Sequence, residues 1–213
     1  FYHFDRGTCF RAGKTGEYGY DLAVRSDEVE RSWEELLALV GELGGGEISL
    51  ETLDLCALEN GFFSVRNVSL EGLTPLELQL QWRVSARKQF PGATAIEERR
   101  GKGMGRRVTH FVAQGGVETG ELIRDGDGPG GEVVAAAFSP SIGGVAGVAL
   151  LDVSVAHPGI DSFFVARQNV EQPIRTVSSP LLFNRSLLVD PHRHTYSTRD
   201  ESNDPSLWLG SLP

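Results

Sequence analysis

The spacing of apolar residues changes twice between Tyr20 and Gly61. Tyr20-Asp-Leu-Ala-Val24 alternates apolar and polar, the period of a half-buried strand. Val29, Trp33, Leu36, Leu37 and Val40 then fall on one face at 3.6 residues per turn, so the spacing predicts an amphipathic helix. Ser26 suits its N-cap, and Asp27, Glu28 and Glu30 supply the negative charge that a helix start favours. Gly44-Gly-Gly46 should end it. A second helix is predicted from Ile48 to Cys56 with Ser49 as its cap, and Phe62-Phe-Ser-Val65 reads as a strand. Strand, helix, helix, strand is an α+β layer with helices on one sheet face.

Beyond Leu73-Thr-Pro-Leu76 the pattern supports two readings. Leu78, Leu80, Trp82 and Val84 alternate like a strand, while Pro75 followed by Glu77 suits the start of a short helix. Residues 97–107 are basic and glycine-rich (Arg99, Arg100, Lys102, Arg106, Arg107) and read as a linker. Six short strand candidates follow: Arg107–Val112, Gly120–Ile123, Glu132–Phe138, Val145–Val153, Phe163–Ala166 and Ile174–Ser178. Their even spacing, with Gly, Asp and Pro between, predicts a small antiparallel β-barrel or sandwich. The resulting division is an α+β domain over 1–95, a basic linker over 96–106, a barrel over 107–186 and a polar tail over 187–213.

Composition narrows the function classes. A formal charge of -9 argues against a general nucleic-acid binder. No apolar run reaches the length of about 18 residues that a membrane span needs. Two cysteines, Cys9 and Cys56, without a signal-like start suit free thiols in a reducing compartment, the cytoplasm. The chain opens at Phe1 in mid-strand, Phe1-Tyr-His-Phe4, which reads as a fragment or processed chain whose N-terminal portion is missing.

Arg11-Ala-Gly-Lys-Thr-Gly-Glu-Tyr-Gly-Tyr20 carries the most chemistry. Lys14-Thr15 after Gly13 invites a phosphate-loop reading, but G-x-x-x-x-G-K-[ST] needs a glycine at position 8, where Thr8 stands. The run after it is strand-like rather than helical. A glycine-shaped turn between two strands, with Glu17 at its tip, fits these residues better.

At this point the residues resemble a known family. The segment 11–20 resembles the R-T-G-Y-T-G-E-D-G-[FY] signature of aminomethyltransferases, the T-protein of the glycine cleavage system and related folate-dependent proteins. Thr74-Pro-Leu-Glu77 followed by Trp82, then Phe90-Pro-Gly92, then Phe138-Ser-Pro-Ser-Ile-Gly143, resemble further family landmarks in the right order. The resemblance runs from Phe1 to about Leu182 and covers the C-terminal two thirds of the family's length. It implies the second α+β domain of an aminomethyltransferase-like fold followed by a C-terminal antiparallel β-barrel. The family's first domain, with its catalytic aspartate, has no counterpart in this stretch.

The resemblance implies tetrahydrofolate as cofactor, a small methyl or aminomethyl donor as substrate, and Glu17 as the pterin-binding carboxylate. One carboxylate can accept the side-by-side N–H and amino donors of a pterin edge in a planar, two-pronged contact. Trp82 suits either the folate ring system or a core or domain-interface position. Lys14 reads as an exposed loop lysine. One departure matters: the T-protein pattern A-R-D-S-L-R-L-E has a ligand-contacting arginine where this chain has Leu58, followed by Glu59 where the family has Asp. Arg66 is near but not equivalent. The departure favours a divergent one-carbon transferase whose catalytic residue is unassigned, acting with an upstream polypeptide or partner subunit. The alternative is a non-catalytic folate-binding subunit or accessory protein of an amine oxidase or assembly system.

Other clusters receive bland readings. Asp190, His192 and His194 sit in the polar tail without supporting metal ligands. The basic patch at 99–107 is of a charge to attract a folate polyglutamate tail, but a solvated linker is its default. Asn67-Val-Ser69 and Asn184-Arg-Ser186 match a glycosylation triplet without other signs of secretion, and Cys9 has no base beside it in sequence.

Overall fold

The computed structural model describes residues 1–62, 72–126, 128–167 and 170–182. It divides into one unit built on Phe1–Ser49 and another spanning Leu50–Leu182. The boundary lies ahead of the second helix rather than near residue 95.

In the first unit, strands β1 (Tyr2–Phe4), β2 (Gly7–Arg11) and β3 (Tyr20–Val24) form an antiparallel sheet in that order. Asp5 and Arg6 make the tight β1–β2 connection, with Phe4 opposite Gly7. Helix α1 (Val29–Glu42) follows. Ser26 does not cap it. Ser26–Glu28 instead forms a 3-10 turn, and neither it nor α1 has a side-chain cap at its start. The Arg25 side chain lies 3.3 Å from Asp27 and 3.4 Å from Glu28, so the acids expected at the helix start are engaged by a preceding cation. The predicted apolar stripe is only half covered: Leu37 and Val40 are half-buried, while Val29, Trp33 and Leu36 are exposed. Gly44, at φ +76°, follows the helix end, in the left-handed region that glycine tolerates.

The second unit begins with α2 (Leu50–Glu59), which starts immediately after Ser49 and runs three residues past Cys56. Gly61, at φ +80°, turns the chain; a Cβ there would collide with the Ser179 side chain, so only glycine fits. The strand expected over 62–65 falls almost wholly outside the described residues, as do Arg66, both glycosylation triplets and the 187–213 tail.

Residues 74–84 are neither strand nor α-helix. Backbone hydrogen bonds from Leu78 to Thr74 (3.2 Å), Gln79 to Leu76 (3.1 Å) and Leu80 to Pro75 (2.7 Å) wind them into turns, and Gln81–Arg83 adds a 3-10 turn. Leu76, Glu77 and Leu78 are buried in succession, and Gln79 takes φ +57°, so the apparent alternation never becomes a pleat. The basic linker is also corrected: α3 (Ala93–Lys102) occupies most of it, entered through Gly92 at φ +97°.

The strand expectations after residue 106 match β4 (Arg106–Ala113), β5 (Leu122–Asp125), β6 (Gly128–Ser139), β7 (Gly144–Asp152), β8 (Phe163–Arg167) and β9 (Val170–Val177). They close into an antiparallel barrel in the order β4-β7-β6-β5-β8-β9. Strand β7 is buried on both faces, which is why it reads as an unbroken apolar run. Val145, Ala149 and Leu151 join the interior with Phe111, Ile123, Phe163, Val165 and Ile174. Ala146, Val148 and Leu150 pack on the other face with Leu58, Leu78, Val108 and Val134. The α2 helix and the 74–80 turns therefore share an apolar layer on the outer wall of the barrel.

Candidate functional site

The Glu17 loop is set by the strands that flank it. Strands β2 and β3 pair from Gly7 opposite Val24 up to Arg11 opposite Tyr20, leaving residues 12–19 as the connection. This is a longer loop than a tight hairpin turn. Gly16, at φ +77°, supplies the left-handed residue just before Glu17. Glu17 donates its backbone N–H to Thr15 Oγ1 at 3.1 Å, and the residue is half-buried rather than out in solvent. Lys14 is exposed, as expected.

Tyr18 folds back onto the base of the same loop. The Arg11 guanidinium carbon lies 3.9 Å from the centre of the Tyr18 ring, a cation–π contact. The Tyr18 and Tyr20 rings meet edge to face at 5.6 Å, and their hydroxyls are 2.9 Å apart. The Tyr18 hydroxyl, followed by burial, raises the Tyr20 phenol above its ordinary range. Nothing local in the sequence marks this constellation, because the register that sets Arg11 opposite Tyr20 is a property of the sheet.

In the second unit Trp82 lies on the Gln81–Arg83 turn and is 68% exposed, with the Arg83 guanidinium 4.5 Å from its ring centre. It is not a core residue of that unit.

The turn that carries Trp82 is anchored by Glu77, a residue that sequence reasoning missed. Its side chain is 1% exposed. One carboxylate oxygen accepts the Thr74 N–H at 2.9 Å and the Thr74 hydroxyl; the other accepts Nε–H of Arg99 at 2.6 Å. Its backbone carbonyl accepts the Val108 N–H of β4 at 2.9 Å, and Gln79 Nε2 donates to the Val108 carbonyl at 2.6 Å. Burial pushes the carboxyl up, but the Thr74 and Arg99 bonds outweigh it and hold Glu77 below the usual carboxylate range. The signal was legible: Thr74-Pro-Leu-Glu77 has the T-x-x-E spacing of a capping box.

Leu58, at the position of the departure, is buried in the outer-wall apolar cluster and offers no polar atom. Glu59 is buried beside it, accepts the Ser139 hydroxyl at 2.5 Å and takes the Leu181 N–H on its backbone carbonyl at 2.9 Å. Both residues of this pair join α2 to the barrel.

The basic patch is largely consumed by internal pairing. Arg99 binds Glu77, Arg100 lies 2.6 Å from Glu97, Arg106 lies 3.2 Å from Glu132, and Arg107 donates to the Ala156 carbonyl. Arg99, Arg100 and Arg106 are so paired with carboxylates, whereas a bond to a neutral carbonyl leaves the charge of Arg107 uncompensated. No disulfide joins the half-buried Cys9 and Cys56. Among the described residues no group of three or more His, Cys, Asp or Glu is placed to hold a metal ion, and no helix is long and apolar enough to cross a membrane.

Residues 4–88 match the family model described as the GCVT N-terminal domain. An aminomethyltransferase of Halothermothrix orenii is 30% identical over 177 residues, covering 78% of this chain and 50% of that protein. One from Frankia alni is 31% identical over 151 residues, covering 69% of this chain and 41% of the relative. The fold is shared with the crystal structure of glycine cleavage system aminomethyltransferase T from Bartonella henselae, at TM-score 0.75 and 24% identity over 82% of this chain and 49% of that one. The chain thus spans about half the length of these curated relatives or less. Over the matched residues it is homologous to aminomethyltransferases.

Proposed function

We propose that this homologue of the aminomethyltransferases binds tetrahydrofolate and serves the transfer of a methyl or aminomethyl unit. The observation that carries the reading is the half-buried Glu17, held on a glycine-framed loop between two paired strands inside the matched region. A carboxylate so placed can accept two adjacent pterin donors, and partial desolvation strengthens such a charge-assisted pair. In the Leu50–Leu182 unit, taken by itself, the exposed Trp82 offers an aromatic surface suited to a flat ring system. Folate, when bound, supplies the nitrogen that carries the one-carbon unit; the chain's residues bind and orient it, and proximity to the donor does much of the chemical work. No catalytic residue is assigned. The residues form the second α+β domain and terminal barrel of that fold, and the two thiols suit the cytoplasm.

A second reading, a folate-binding subunit without catalysis, has one observation in its favour. Leu58 stands where the T-protein pattern has a ligand arginine, and it is buried in the apolar wall.

The test is a calorimetric titration of the 213-residue chain with 5-formyltetrahydrofolate, an air-stable tetrahydrofolate. Glu17→Ala should weaken binding about 10- to 100-fold, the worth of a charge-assisted hydrogen bond. No binding by the unaltered chain would end both readings. Binding with no turnover of methyl or aminomethyl donors, both with and without an upstream polypeptide or partner subunit supplied, would select the second.

A further inference from the structure

We infer that Tyr18 is a positioning residue for Glu17: it latches the 12–19 loop to its own base through Arg11 and Tyr20, and so presents the carboxylate in a fixed place. The inference rests on the folate reading of Glu17 for its purpose, but not for its geometry.

Arg11 and Tyr20 face each other in the last rung of the β2–β3 ladder, so together they mark the base of the loop. Tyr18 reaches both of them. Its ring face takes the Arg11 guanidinium at 3.9 Å, the Tyr18 and Tyr20 rings meet edge to face, and its hydroxyl lies 2.9 Å from the Tyr20 hydroxyl. The ring face toward Arg11 is thereby occupied. Glu17 lies in sequence between this latch and Thr15, whose hydroxyl accepts the Glu17 N–H at 3.1 Å. Its backbone is pinned on both sides. An eight-residue connection without such a latch would have to order itself on binding, at a cost in loop entropy that lowers affinity. Holding the loop beforehand removes that cost.

The latch is also where this chain departs from the resembled signature. R-T-G-Y-T-G-E-D-G-[FY] has an acid after the glutamate, and Tyr18 stands there instead. An acid attracts a cation by net charge, whereas a ring does so by its quadrupole. In this chain the Arg11 cation is held by the ring.

Two measurements decide the matter on the full 213-residue chain. The first needs no ligand: amide hydrogen exchange over residues 12–19 for the unaltered chain, Tyr18→Ala, Tyr18→Phe and Arg11→Ala. Tyr18→Ala and Arg11→Ala should each speed exchange in the loop by about fivefold, the worth of an exposed cation–π pair to a local opening equilibrium. Tyr18→Phe keeps the ring and should restore most of the protection. The second is affinity for 5-formyltetrahydrofolate, which should fall as exchange quickens: about two- to fivefold for either alanine variant, and no further in the double variant, since the two residues act as one unit. Unchanged loop exchange in Tyr18→Ala overturns the latch. So does weaker binding with unchanged exchange, because Tyr18 would then touch the ligand itself. If the unaltered chain binds no folate, the folate reading of Glu17 fails, while the exchange arm still upholds or overturns the latch.

Discussion

Arg99 of α3 donates its Nε–H to the buried carboxylate of Glu77 at 2.6 Å, across 22 positions of sequence. The bond ties a helix to the turn that carries Trp82, and Thr74 supplies the carboxylate's other donors. Glu77 is buried and Arg99 is partly exposed, so removing the cation leaves the buried carboxylate without its counter-charge, held by the Thr74 donors. The carboxylate then has one donor fewer. Arg99→Met should lower the stability of the Leu50–Leu182 unit by about 1 kcal/mol, a hydrogen bond to a charged group discounted for the solvent on the arginine side. Urea unfolding followed by circular dichroism checks this, with an expected fall in midpoint at unchanged slope.

The same carboxyl predicts an acid sensitivity. Its folded pKa is depressed, so its contribution is present above the unfolded value of about 4.3 and is lost as pH falls through the folded value. Asp152 and Glu35 are depressed too, by the Ser154 bonds and by the Arg6 and Arg31 bonds, so a control is needed. Between about pH 5 and pH 3 the melting temperature of Glu77→Gln should fall less steeply than that of the unaltered chain. Parallel slopes would remove Glu77 as a source of the acid sensitivity.

His110 gives a second, higher pH step. It lies on β4 between Val148 and Val177, with Nε2 buried and without a hydrogen-bond partner among the described residues; burial lowers its pKa, and the Gly61 backbone opposes this more weakly. A folded value below the unfolded value of about 6.5 means the unfolded chain takes up the proton first, so stability falls as pH drops below that point. His110→Phe should flatten stability between about pH 7.5 and pH 5. An imidazole proton titration by NMR should show the depressed value directly.

Gly147 on β7 faces Phe111 on β4, its partner in the ladder. A Cβ there would run into the Phe111 ring, which is fully buried in the barrel interior and has no room to withdraw. Gly147→Ala should destabilise the barrel by about 2–3 kcal/mol through overpacking. A thermal midpoint within about a degree or two of the unaltered chain would contradict that packing.

Six barrel strands were legible within a few residues because their signal is local. Polar turns punctuate short apolar runs, and β7 betrays its double burial by having no polar break. The loop around Glu17 was legible for the same reason, its glycines marking a bend between two alternating runs. Local pattern misleads in two places, where it competes with distant partners. The alternation of Leu78, Leu80, Trp82 and Val84 looks like a pleat, but Glu77 beside them is drawn inward by Thr74, Arg99 and Val108. Residues 97–107 look like a solvated linker, yet their cations find Glu77, Glu97 and Glu132, and a helix forms over most of them.

The sequence by itself determined the kinship of this chain, its strand spacing and the acid at the tip of the glycine loop, since each is written in residues adjacent along the backbone. Only the tertiary structure decided that Leu58 would be wall, that Glu77 would be an anchor, and that Tyr18 would bridge Arg11 and Tyr20. A side chain's role follows from which partners reach it once its charge or its ring has left water, and those partners are set by register and packing rather than by nearness in sequence.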